Sequence, residues 1–246
     1  MNPDVLDFLV RSAREFRRTG WVFTGFHWPV LAGEVAARLD GATPTFRQLF
    51  EAGFATEGPA DDLPTSTTDF AAFGSAITWR GSTGDVLGTL VRRADLVVLD
   101  AANVDLAGRL NSTAVGDYRA PAVRLPGGGG APDAAHGARE LLVLYGGADP
   151  GRIVRQVEHV TAAPSVRTAV RLLTRWGTVR LGPAPRLLTA ARDETVLADR
   201  LRALGVGTTG AMVEKAPTDE ELAVAAAVLT EAARRGYLVA REAVRG

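Results

Sequence analysis

The sequence predicts an α/β fold: an open, mostly parallel sheet flanked by helices, with a small β meander in the C-terminal third. Three observations predict it. Leu96-Val97-Val98-Leu99 and Leu141–Tyr145 are continuously apolar rather than alternating, the pattern of strands covered on both faces. Amphipathic segments lie between such runs, as in β-α-β chains. From Ala169 the pattern changes to three short strands, Ala169–Thr174, Thr178–Leu181 and Arg186–Thr189, separated by Trp176-Gly177 and Gly182-Pro183.

The elements follow in order. Val5, Leu6, Leu9, Val10, Ala13 and Phe16 recur at three- and four-residue spacing, which predicts a helix ending near Gly20. Trp21–Gly25 is an apolar run closed by glycine, a strand. Pro29 opens a helix over Val30–Leu39, since proline suits the first helical turn. A second strand is expected around Thr45–Phe50, and residues 54–75, rich in Gly, Pro, Asp and Thr, read as a loop. Val86–Arg93 reads as a helix, and Asn103–Asn111 and Pro126–Gly130 as turn-rich passages. Glu194–Leu204 and Asp219–Arg235 close the chain as helices, the latter capped by Thr218 with Glu221 three residues on. No repeat or linker divides residues 1–246, so a single domain is expected.

Composition narrows the function. The 46% apolar and 23% charged residues suit a globular chain, and 28 basic residues balance 28 acidic ones. That balance gives no basic excess for nucleic acid or a membrane surface, so neither is expected as a partner. Without cysteine there is no disulfide, thiolate nucleophile or cysteine-ligated metal. His27, His136 and His159 show no ligand spacing, and no metal is expected. No secretory pattern or apolar run of about 20 residues is present, so the expected location is the cytoplasm.

Familiar nucleotide and hydrolase motifs fail. The glycine run Gly127–Gly130 places Pro132 or Asp133 where a dinucleotide fingerprint needs its last glycine. The one lysine, Lys215, follows no phosphate loop, and no G-x-S-x-G elbow occurs. Two segments ask for more than a structural reading. Glu51, in Phe50-Glu51-Ala52-Gly53, puts a carboxylate at a strand-to-loop junction, where open α/β sheets build sites, although a solvated turn glutamate has the same pattern. Arg124-Leu125-Pro126-Gly127-Gly128-Gly129-Gly130-Ala131-Pro132-Asp133 lets main chain approach a ligand closely, although a flexible turn would use the same glycines.

The stretch Asn103-Val104-Asp105-Leu106-Ala107-Gly108-Arg109-Leu110-Asn111-Ser112-Thr113, continued by Pro121-Ala122-Val123-Arg124-Leu125-Pro126 and the glycines, resembles the beta subunit of family I CoA-transferases of the glutaconate CoA-transferase type. Thr24-Gly25, Gly205, Thr209-Gly210 and Pro217-Thr218 extend the likeness toward both ends. The resemblance implies a CoA-transferase/NagB-like open sheet and an alpha-subunit partner in a heterotetramer or larger assembly. It implies coenzyme A as a substrate rather than a resident cofactor, exchanged between an acyl-CoA and a carboxylic acid. By similarity Glu51 is the nucleophile. Gly25, Gly53, Asn111, Gly128, Gly129, Gly130 and Ala131 would line the substrate and CoA site, with the Gly128–Ala131 turn as oxyanion donor. Arg119 or Arg124 would meet CoA phosphates. The sequence departs from the family pattern at Asn103, at Ala52 after the glutamate and at Arg109 after Gly108. Hydrolysis of a C–C or thioester bond in a CoA-linked compound stays open beside transfer. So does a non-catalytic partner role using an apolar surface that includes Trp21, Phe26 and Trp28.

Overall fold

The computed structural model describes residues 1–17, 20–191 and 195–245. Helix α1 (Pro3–Phe16) starts where the Asn2 side chain accepts from the amide of Asp4 at 2.9 Å, and it buries Val5, Phe8, Leu9, Ala13 and Phe16. Strand β1 (Trp21–Thr24) follows, then α2 (Trp28–Asp40), with Pro29 in its first turn as the sequence predicts. The next strands are β2 (Arg47–Phe50), β3 (Phe54–Thr56), β4 (Ile77–Arg80) and β5 (Leu96–Asp100).

One sheet of ten strands organises the molecule. Its middle five are parallel, in the order Ala169–Thr174, Glu140–Tyr145, β5, β1, β2. The buried strands alternate between two cores. Phe23, Val97, Leu141 and Val143 face the segment 83–93 and the helix Ala131–Gly137. Val22, Val98, Leu142 and Leu144 face α1, α2 and the helix Asp219–Arg234. Both faces are covered, which is why these strands read as unbroken apolar runs.

Both edges hold additions. The predicted meander is present as Ala169–Thr174, Gly177–Leu181 and Arg186–Ala190, but it continues the main sheet and is extended by Met212–Val213 in parallel. At the other edge β3 and β4 run antiparallel to β2 and to each other. The sequence reading missed both, and it placed a loop over 54–75, where β3 and a helical turn, Phe70–Phe73, stand. Three residues are too few to show a period; what holds β3 is Phe54 stacked on Phe50 and edge-on to Phe73, each with ring centroids 4.8 Å apart. The predicted helix Val86–Arg93 forms as a wide turn, Val86–Leu90, followed by a tight one, Val91–Arg93. Of the predicted helix Glu194–Leu204 the structure shows Val196–Ala203, and Glu194 lies outside the described residues.

The strand order fixes where a site can form. The chain builds β1 and then β2 on one side, and returns to lay β5 on the other side of β1. The connections leaving the carboxyl ends of β1 and β5 therefore diverge, and a crevice opens between them.

The last long helix carries a testable acid sensitivity. Glu221 accepts the Thr218 amide at 2.8 Å in a capping box and receives both arms of Arg14, at 2.8 and 2.7 Å. The hydrogen bond from Arg14 leads in lowering its carboxyl from an ordinary 4.5 to about 2. The contribution is complete above the unfolded value and is lost as pH falls from 4.5 toward 2. The thermal midpoint of the wild type should thus fall more steeply with acid below pH 4.5 than that of Glu221→Gln.

Candidate active site

Glu51 is placed by a three-residue hairpin loop. Phe50 pairs with Phe54 across the β2–β3 hairpin, and the Gly53 amide closes the turn onto Phe50 O at 3.0 Å. Gly53 has φ +94°, the left-handed position that three-residue hairpin loops require. A Cβ there would lie 2.7 Å from Gly81 O and 2.8 Å from the Ser82 carbonyl carbon. Gly53 is thus buried behind the turn rather than beside a ligand, which corrects its expected contact role: it aims Glu51. The carboxylate is half-buried at the carboxyl end of β2.

Opposite stands the glycine run. Gly130 N–H donates to Glu51 Oε2 at 2.9 Å. A Cβ on Gly130 would fall 2.4 Å from that oxygen and 2.9 Å from Leu87 Cδ1, and one on Gly129 would fall 3.5 Å from Glu51 Oε1. Ala131 N–H closes a turn onto Gly128 O at 2.8 Å, and Gly127 N–H is held by Ser112 O at 2.7 Å. The expected donor turn Gly128–Ala131 is therefore half occupied. Among the described residues, the amides of Gly128 and Gly129 are the two in that turn without a partner.

A cavity of about 260 Å³ lies between these groups. Gly25, His27, Glu51, Asp100, Ser112 and Gly127–Gly129 line it, with the side chain of Ala131. Gly25 is tied to β5 by its amide to Val98 O at 2.9 Å, and a Cβ would meet that oxygen at 3.1 Å. Asn111, expected at the ligand, is 1% exposed and turned inward. Its Nδ2 donates to Ala114 O at 2.8 Å, and its Oδ1 accepts from the Thr113 amide at 3.0 Å. Its work is to shape the bend that presents Ser112. Arg119 and Arg124 do not line the cavity, and Arg124 instead donates to Tyr118 O at 3.0 Å on an exposed arm. Trp28 is buried against Phe8, and Trp21 and Phe26 pack on the cores, so these aromatics form no open apolar surface.

Sequence reasoning missed one pair. His27 Nδ1 lies 3.5 Å from Asp100 Oδ2, bridging the carboxyl ends of β1 and β5 at the crevice. A lone histidine gave no spacing signal. A larger cavity, about 560 Å³, lies by α1 and the meander, but its Arg14 and Arg171 are already committed to Glu221 and to Glu15 and Glu140.

No family model matches the sequence. Over 137 residues it is 36% identical to the beta-type chain of the 3-oxoadipate CoA-transferase of Pseudomonas knackmussii, covering 55% of this chain and 51% of that one. The chain thus spans about half the length of the curated relative it matches. The crystal structure of glutaconate coenzyme A-transferase from Acidaminococcus fermentans superposes with a TM-score of 0.75 over 90% of this chain and 92% of that one, at 18% identity. The fold is that of the CoA-transferases. The chain is a relative of their beta-type chains. The decarboxylase AibA/AibB shares this CoA-transferase fold, with a TM-score of 0.75 at 24% identity over 92% of this chain and 95% of that one. Its structures include variants in which a cysteine is replaced, whereas this chain has no cysteine and presents Glu51.

Proposed function

We propose that this chain is the glutamate-bearing subunit of a two-subunit CoA-transferase, joined to an alpha-type chain. The observation that carries the reading is Glu51, fixed by a hairpin at a strand end and facing a glycine turn with two unused amides. In this reading Glu51 attacks the thioester carbonyl of an acyl-CoA. The tetrahedral oxyanion is met by the Gly128 and Gly129 amides, which are held in place before the reaction begins. Collapse breaks the C–S bond, giving an acyl-glutamyl anhydride and CoA thiolate. The thiolate attacks the Glu51 acyl carbon, forming a glutamyl-CoA thioester and releasing the first acid. The acceptor carboxylate then reverses the two steps. CoA enters and leaves as a substrate. The acid-binding walls on the far side of the cavity would come from the alpha-type chain.

Trapping tests the reading. Incubation with an acyl-CoA and then borohydride or hydroxylamine should modify Glu51, read by peptide mass spectrometry. An unmodified Glu51 in an active preparation overturns it, and release of free acid and CoA without any acceptor would favour hydrolysis.

Gly130→Ala gives a second check. Gly130 has φ −80° and ψ 1°, which alanine adopts without strain, so the effect isolates the contact with Glu51. The added methyl must displace the carboxylate by several tenths of an ångström to an ångström. Misplacement of that size costs on the order of 100-fold in rate. Steady-state kinetics should show the loss in kcat, with the thermal midpoint little changed.

A further inference from the structure

We propose that His27, held by Asp100, is the group that recognises the carboxylate of the acid in the Glu51 cavity. The inference rests on the transfer reading for the identity of that acid, but the binding itself can be tested without turnover.

The charges lining the cavity lead to it. Two of its lining side chains, Glu51 and Asp100, are acids, and His27 is the one lining side chain that can be cationic. An anionic acid would meet net repulsion there unless the imidazole is protonated. Asp100 favours that state. Its hydrogen bond to His27 is the leading cause holding the imidazole above an ordinary 6.5, against partial burial. The other titratable groups sharing cavities with His27 are Glu51 on the β2–β3 loop, Tyr145 and Arg175 on the neighbouring strand ends, and Arg235 and Tyr237 near the C-terminal helix. Arg175 is engaged with Gly146 O, to which its Nε donates.

Backbone geometry adds an independent observation. His27 has φ 59° and ψ −114°, and it is the one non-glycine among the described residues with positive φ. Such conformations cost of order 1–3 kcal/mol and persist where the surroundings enforce them. A flanking residue that begins a helix usually spends its side chain on capping, but His27 at the start of α2 makes no such bond. The strain turns the ring away from the helix and into the crevice. There His27 lines both the Glu51 cavity and an adjoining one, also about 260 Å³, reaching Tyr145 and Gly147. The acid therefore has space to extend past the imidazole while its carboxylate remains at Glu51.

With ring-labelled histidine in the full chain, three imidazole signals are expected, since the sequence holds three histidines. Addition of acetate or glutarate should raise the titration midpoint of His27 and leave His136 and His159 unmoved. Asp100→Asn should lower that midpoint and weaken the response. In turnover, His27→Gln should raise the KM for the acid roughly tenfold, the loss falling on KM rather than kcat. In the wild type that KM should climb as pH rises through the His27 midpoint, and the variant should lose this dependence. A His27 signal indifferent to either acid, with an unchanged KM in His27→Gln, overturns the proposal. A Glu51 adduct with a silent His27 would sink this inference alone; a responsive His27 with no adduct would sink the transfer reading alone.

Discussion

Replacing Glu51 with glutamine is expected to reduce CoA exchange by at least about 10³-fold while leaving the fold intact. Nucleophile deletions in covalent catalysts cost this much or more, because binding and oxyanion donors alone cannot replace the covalent path. The substitution isolates chemistry from structure. Glutamine matches the size of glutamate, and its carbonyl oxygen can accept the Gly130 amide as Glu51 Oε2 does at 2.9 Å. The side chain is half-buried and the turn beneath it is held by Gly53, so stability should change by no more than about 0.5 kcal/mol. An amide, however, cannot form the anhydride. Measured together, kcat/KM and the thermal midpoint decide the matter: activity within tenfold of wild type would remove Glu51 from the mechanism.

The parallel centre of the sheet was legible in the sequence because burial on both faces leaves unbroken apolar runs, as at Leu96–Leu99 and Leu141–Tyr145. Its antiparallel edge was not. β4 alternates between half-buried and exposed residues, and β3 is three residues long, so neither supplies a strong local period. What holds them is the stacking of Phe50, Phe54 and Phe73, a tertiary fact.

At the site, the sequence marked the places but not the direction each residue faces. Gly53 and Asn111 stand where the motif needs them, yet both turn away from the cavity: one supplies a left-handed turn, the other an inward side-chain bridge. A motif records that a residue type is required and not which of its atoms does the work. His27 went unread for the opposite reason. Its partner Asp100 sits on another strand, and its distinguishing property, a positive φ, leaves no trace in composition or spacing.

Asp105→Ala should be the most destabilising single change in the motif region, by about 3–5 kcal/mol, the range for removing one member of a buried ion pair. Asp105 is 0% exposed. Its Oδ1 accepts the amides of Ala107 and Arg109, each at 3.0 Å. Its Oδ2 accepts Arg109 Nε at 2.7 Å and the Val157 amide at 3.2 Å. Alanine would orphan three main-chain donors and release Arg109, so Arg109, a departure from the family pattern, is here part of the scaffold. The loss should reach the site along the chain. Leu110 pairs with Ala162, and the Thr161 hydroxyl accepts the Ser112 amide at 2.8 Å. Ser112 O in turn holds Gly127 at the head of the glycine turn. Denaturant unfolding of Asp105→Ala should therefore show a lowered midpoint, and activity should fall even at temperatures where the variant remains folded. Asp105→Asn, which keeps the shape and one acceptor, should fall between the two. A loss below about 1 kcal/mol in Asp105→Ala would mean that water replaces the carboxylate and that the loop holds its shape without it.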